Sequence, residues 1–240
     1  IEPARWHPGA IILLPSGKCK GEHVMNKAVI FDMDGVIFDS EAMVLACWKN
    51  IAETYGISGI DEVFCQCIGT NSAETKRIIK DYYGEDFEYD RFREKASALF
   101  QEKTKEKGVP VKRGARELLS YLKINGYRTG LATSTRRVKA EEELEQAGLL
   151  KYFETVVCGD MVTHSKPHPE IYELACSKMG LDPEGTYAIE DSFHGVRAAF
   201  AAGMRVIMVP DLIAPDKEIE ALAWQIYPSL MGVLGLFQSF

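Results

Sequence analysis

The run Ala28-Val29-Ile30-Phe31-Asp32-Met33-Asp34-Gly35-Val36 decides how this chain reads. Four apolar residues suit a buried strand. It ends in two carboxylates one residue apart, and then in a glycine that lets the chain turn sharply. Successive strand side chains point to opposite faces, so Asp32 and Asp34 can share one face and converge. Two carboxylates there suit a hard cation such as Mg²⁺. An aspartate can also be a nucleophile and accept a phosphoryl group. The same run reads equally well as a turn with a solvated acidic edge. The rest of the chain has to choose.

From Val111 onward, strand-like and helix-like segments alternate. The pattern predicts helices over Ala115 to Asn125, Arg136 to Ala147, Pro169 to Met179 and Phe193 to Ala202. It predicts strands over Arg128 to Thr133, Thr155 to Cys158, Thr186 to Glu190 and Met204 to Val209. Such alternation argues for βαβ units and a parallel sheet, with ligands bound at the strands' carboxyl ends. Residues 41–110 differ, with apolar residues at helical spacing and no strand pattern; Trp48, Tyr55 and Phe64 are its expected core. The expected fold is α/β: a Rossmann-like parallel-sheet core over 26–40 and 111–240, with a small helical cap inserted at 41–110. Ser229 to Phe240 is expected to pack on the core as a short helix. Residues 1–25 carry three prolines and no sustained periodicity, and are expected to be a non-native or disordered extension with the natural start at Met25.

The 240 residues are 46% apolar and 26% charged, an ordinary globular balance. A net charge of −7 without a basic block points away from nucleic acid. No apolar run is long enough to cross a bilayer. The six cysteines form no CxxC pair, and Cys65-x-Cys67 is too tight for zinc, so free thiols in a reducing cytoplasm are expected.

Four groups follow predicted strands. Asp32 and Asp34 come first. Thr133-Ser134-Thr135 can hold an anion ahead of a helix, or simply cap it. Lys166, in Ser165-Lys166-Pro167-His168-Pro169-Glu170, is either a point charge for a phosphate or a solvated lysine. Glu190-Asp191 ends a further strand and can complete an oxygen cage for Mg²⁺, or cap the next helix. His164, His168 and His194 flank these motifs and are assigned structural or surface roles.

The order of acid pair, hydroxyl, lysine and acid pair resembles the haloacid dehalogenase-like hydrolase superfamily, and DMDGV, SKPHPE and EDSFHG carry the resemblance. It implies a Mg²⁺-dependent phosphomonoesterase acting on a small phosphorylated metabolite, a sugar or nucleoside phosphate, through an aspartyl-phosphate. Asp32 then resembles the nucleophile and Asp34 the general acid/base. Thr133 and the Ser134 backbone resemble the phosphoryl grip, and Lys166 the neutralising cation. Mg²⁺ would be held by Asp32, the Asp34 carbonyl and Asp191, with Glu190 close by or through water. A cytoplasmic monomer is expected.

The opening motif and helical insert resemble the β-phosphoglucomutase-like branch. Gly69, Thr70 and Asn71 would form a specificity loop, or a helix-capping turn. The mutase's histidine position is Val44 here, and its phosphate-gripping arginine position is Ser72. That favours hydrolysis. A mutase, with Lys76, Arg77 or Arg137 as the second clamp, is the alternative; a catalytically silent phosphometabolite-binding module is the other.

Overall fold

The computed structural model describes residues 27–240. The expected extension over 1–25, and Cys19 within it, lie outside the described residues. Six parallel strands form one sheet in the order β3-β2-β1-β4-β5-β6. They are β1 (Ala28–Phe31), β2 (Arg128–Thr133), β3 (Thr155–Cys158), β4 (Tyr187–Glu190), β5 (Arg205–Met208) and β6 (Gln225–Ile226). β1 sits centrally and is buried throughout, as expected for a parallel strand covered on both faces. Phe31 registers with Leu131 on one side and Ile189 on the other. The carboxyl ends of β1, β2 and β4 therefore lie side by side where the strand order reverses, the usual ligand crevice of open α/β sheets.

Helices α1 (Glu41–Tyr55), α2 (Ile60–Cys67), α3 (Ser72–Tyr83) and α4 (Tyr89–Thr104) lie between β1 and the rest of the core. Helices α5 (Ala115–Ile124), α6 (Arg137–Gln146), α7 (Glu170–Met179), α8 (Phe193–Ala201), α9 (Lys217–Leu222) and α10 (Leu230–Gln238) accompany the sheet. α5 shows why these segments are helical. Leu118, Leu119 and Leu122 recur on one face and are fully buried, each worth about 1.5–3 kcal/mol. α10, the expected terminal helix, buries Leu230, Val233, Leu234 and Phe237.

The long predicted elements match to within a residue or two. Two short ones were not anticipated. β6 is two residues at the sheet edge and α9 six residues, both too short for a periodicity to show.

Apolar side chains divide into clusters. Two line the faces of the sheet, and a third lies within α1–α4. In the third, Trp48 meets Phe64 and Phe92 edge-on, with ring centroids 5.1 and 5.6 Å apart, and Tyr55 meets Phe92 at 5.8 Å. The two chain passages joining this helical unit to the sheet run together. Asp39 N–H donates to Pro110 O at 2.8 Å, and Lys112 N–H to Ile37 O at 2.9 Å.

Phe92 is fully buried at the centre of this aromatic group. Phe92→Ala should cost about 3–5 kcal/mol, measured as a lower denaturant midpoint by tryptophan fluorescence. A loss below about 1 kcal/mol would mean that the cluster does not hold the helices together.

Candidate active site

The turn after β1 builds the centre of the site. Met33 O accepts from Ile37 N–H at 2.8 Å and Phe38 N–H at 3.0 Å, and Gly35 N–H donates to Phe38 O at 2.9 Å. Gly35 has φ +81°, and a Cβ there would lie 2.1 Å from Asp191 Oδ2. Glycine thus lets the Asp191 carboxylate lie against the turn that carries Asp32 and Asp34. Asp32 N–H donates to Ile189 O at 2.9 Å, tying the start of the turn to β4.

Lys166 is 2% exposed. Its ammonium donates to Asp32 Oδ1 at 2.6 Å, Glu190 Oε1 at 2.6 Å and Ala132 O at 3.1 Å. Three acceptors meet three N–H donors. Burial works against the charge on Lys166, but Asp32 and Glu190 outweigh it and hold the ammonium above its ordinary pKa. The reading of Lys166 as a solvated surface lysine therefore fails.

Asp34 faces the other way. Its Oδ1 accepts from Ser40 Oγ at 2.8 Å and its Oδ2 from Thr135 Oγ1 at 2.7 Å. Thr133 is fully buried, and its Oγ1 accepts from Thr135 N–H at 3.0 Å, leaving its own proton to donate. Ser134 Oγ donates to Gly69 O at 3.1 Å and joins the sheet edge to the helical unit.

Asp32, Glu190 and Asp191 place carboxylate oxygens within 4.8 Å of one another. Burial first, then neighbouring carboxylates, pushes Asp191 well above its ordinary pKa. Burial, opposed by Lys166, does the same to Asp32. Carboxyls crowded this way fit a hard divalent cation, whose charge relieves both strains. Glu190 itself is saturated. Oε1 accepts from Lys166 and from Tyr172 OH at 2.5 Å, and Oε2 from Asp191 N–H, Ser192 N–H and Ser192 Oγ at 3.1, 3.4 and 3.2 Å.

A cavity of about 1030 Å³ lies between this edge and the helical unit, lined among others by Asp32, Asp34, Glu41, Gly69, Thr70 and Ser134. Thr70 Oγ1 donates to Cys67 O at 2.7 Å. Asn71 Oδ1 accepts from Ala73 N–H at 3.0 Å and Glu74 N–H at 2.9 Å, capping α3. These atoms serve the helix ends, as the capping alternative requires. Lys76, Arg77 and Arg137 do not line the cavity; they pair on the surface with Asp90, Glu74 and Glu141. The cations that do line it include Arg93 and Arg136, and Arg93 donates to Ser72 Oγ. Periodicity gave no sign of Arg93 or Glu41, because their convergence is tertiary. Tyr172 carried no motif signal either.

Two outcomes test this geometry. A Cβ on Gly195 would lie 1.9 Å from the Glu190 carboxylate. In an ordinary helix Gly→Ala stabilises by up to about 1 kcal/mol; Gly195→Ala should instead destabilise by about 1–3 kcal/mol, a lower melting temperature. Burial, then Asp34, raises Glu41 from 4.5 to about 8. The folded state then holds a proton that the unfolded state has lost, so stability falls as pH rises through that window. With divalent cations chelated, Glu41→Gln should raise the melting temperature more at about pH 9 than at about pH 5. A pH-independent difference would place the Glu41 carboxyl in a solvated setting.

Comparison with known proteins identifies the family. Residues 29–209 match the family model described as haloacid dehalogenase-like hydrolase. A phosphorylated carbohydrates phosphatase of Thermotoga maritima is 37% identical over 187 residues, covering 75% of this chain and 83% of that protein. The β-phosphoglucomutase of Clostridium difficile shares the fold at TM-score 0.73 and 24% identity, covering 87% of this chain and 93% of that one. CbbY from Rhodobacter sphaeroides, solved with xylulose-(1,5)bisphosphate, shares it at TM-score 0.71 and 24% identity, covering 86% and 95%. The sheet order, the acid-lysine-acid edge and these likenesses together make this chain a member of the haloacid dehalogenase-like hydrolase family.

Proposed function

We propose that the protein is a Mg²⁺-dependent phosphatase that hydrolyses a small phosphorylated metabolite, foremost a phosphorylated carbohydrate, through an aspartyl-phosphate on Asp32. The observation that carries the reading is the buried Lys166 ammonium beside Asp32, with Thr133, Asp34 and Asp191 at the same strand ends. The relative named a phosphorylated carbohydrates phosphatase supports the substrate class. Residues 41–110 act as a cap over the site. The free state of Cys47, Cys65, Cys67, Cys158 and Cys176 accords with a cytoplasmic setting. No helix among the described residues is long and apolar enough to cross a membrane. The acting unit is a monomer.

Asp32, the Asp34 carbonyl and Asp191 would hold Mg²⁺, and Glu190 would orient the set through its five hydrogen bonds. When bound, the cation supplies positive charge that offsets the charge on the phosphoryl oxygens. Asp32 attacks phosphorus. Thr133 donates its free hydroxyl proton to a phosphoryl oxygen, beside the Ser134 N–H. Lys166 balances charge on Asp32 and the phosphoryl group. Asp34, oriented by Ser40 and Thr135, gives a proton to the leaving oxygen and then takes one from the attacking water.

One observation favours a second reading. Arg93 and Arg136 line the cavity and could grip a second phosphate, as a mutase requires. Val44 and Ser72, in the positions of the mutase's histidine and arginine, weigh against it.

Phosphate release from a panel of phosphorylated sugars and nucleotides tests the proposal. Activity should require Mg²⁺ and disappear with chelator. Asp32→Asn should fall to background with the fold intact, and Lys166→Met should lose about 10²–10³-fold in kcat. Glucose 6-phosphate forming from β-glucose 1-phosphate faster than inorganic phosphate would select the mutase. No turnover on any panel member would select a silent binding module.

A further inference from the structure

The loop that buries Lys166 also carries a second group of metal-ligating side chains. His164, His168 and Glu170 place one donor atom each within 4.8 Å of one another. His164 Nδ1 lies 2.8 Å from Glu170 Oε2. The two imidazoles lie at a 4.5 Å centroid separation with a 30° tilt. His164 is 63% exposed at its side chain, whereas Lys166 two residues on is 1% exposed. The group therefore faces solvent, while Lys166 is turned into the acid cluster.

We propose that His164, His168 and Glu170 form a second metal site, selective for Zn²⁺, on the outer side of the Lys166 loop. The donor set decides the metal. Two imidazoles and one carboxylate suit late first-row cations, whereas carboxylates alone suit Mg²⁺. The spacing suits it too. Zinc bonds to imidazole and carboxylate are ~2.0–2.2 Å long. Two such ligands at a right angle or somewhat wider stand about 3 Å apart, close to the His164–Glu170 separation. The third donor, from His168, already lies within 4.8 Å of the other two, and solvent would fill a fourth position.

The anchor is already set. Glu170 Oε1 accepts from Thr163 N–H at 2.8 Å, and Oε2 from His164 N–H at 2.8 Å. These two backbone bonds hold both oxygens of the carboxylate in place beside the loop. His168 Nδ1 accepts only a long 3.3 Å bond from Glu170 N–H, which a metal displaces at little cost. On binding, His164 would meet Zn²⁺ through Nδ1 as the neutral imidazole that carries its one proton on Nε2. Neither histidine has a role in the chemistry assigned to Asp32 and Asp34, so the site stands or falls apart from that assignment.

Titration calorimetry of the full chain with ZnCl₂, in excess Mg²⁺ to fill the carboxylate cluster, tests the site. One Zn²⁺ per chain is expected. His164→Ala and His168→Ala should each weaken its Kd by at least about tenfold, because even loss of an outer-shell partner costs about 10–100-fold. Circular dichroism and Mg²⁺-dependent turnover should be unchanged in both variants before zinc is added. Absence of a zinc isotherm, equal affinity in the wild type and both variants, or weakening in only one of them would each overturn the proposal.

Discussion

The arrangement depends on one ammonium group shared between two carboxylates. Lys166 bonds Asp32, 134 residues away in sequence, and Glu190, 24 residues away. A lysine this buried is costly to charge, and two buried acids alone are costlier still. Each is tolerable only in the presence of the other, and removing one partner from such a buried pair typically costs about 3–5 kcal/mol. The contact also reaches Ala132 O on β2. One side chain thus ties together the ends of β1, β2 and β4 and the loop after β3. The parallel register makes this possible, since Phe31 stands level with both Leu131 and Ile189.

That charge balance explains features that would otherwise look unrelated. Tyr172 is fully buried on α7, donates to Glu190 and lies under the Lys166 ammonium at 5.1 Å from its ring centroid. It satisfies a carboxylate oxygen and offers a π face to the cation. Gly35 and Gly195 lack a Cβ where Asp191 and Glu190 need room. Ser192 both caps α8 at Gly195 N–H and donates to Glu190. Small residues and hydroxyls gather where carboxylates must be packed, because every buried oxygen needs a donor.

Much of this was legible from the sequence because strand ends are local. β2 and β3 have the predicted bounds, and the residues singled out at the ends of β1, β2 and β4 do lie side by side at one edge of the sheet. What was not legible arises from tertiary placement. Isolated in sequence, Lys166 reads as a surface residue, and only the fold shows it buried. Glu190 reads as a ligand like Asp191, yet its two oxygens are filled by five donors. Arg93 sits among the charged residues that begin α4 and comes to line the cavity through the packing of the helical unit. Lys76 and Arg77 carry the same charge on a neighbouring helix, yet their phase turns them to surface acids.

The helical unit and the candidate site are linked by hydrogen bonds. Ser40 lies between Asp39, whose N–H is held by Pro110 O, and the first turn of α1. Its hydroxyl donates to Asp34 Oδ1. Ser134, beside Thr133, donates to Gly69 O on the loop between α2 and α3. A rotation of the helical unit about the paired passages at Asp39 and Pro110 would therefore move a donor of Asp34 and break a bond beside Thr133 together. In the arrangement observed, Asp34 has one oxygen held by Ser40 and the other by Thr135. An opened site would leave Asp34 with Thr135 as its remaining side-chain donor, free to turn toward water. Ser40 therefore belongs both to the junction of the two units and to the setting of Asp34, while Ser134 ties the units together beside Thr133.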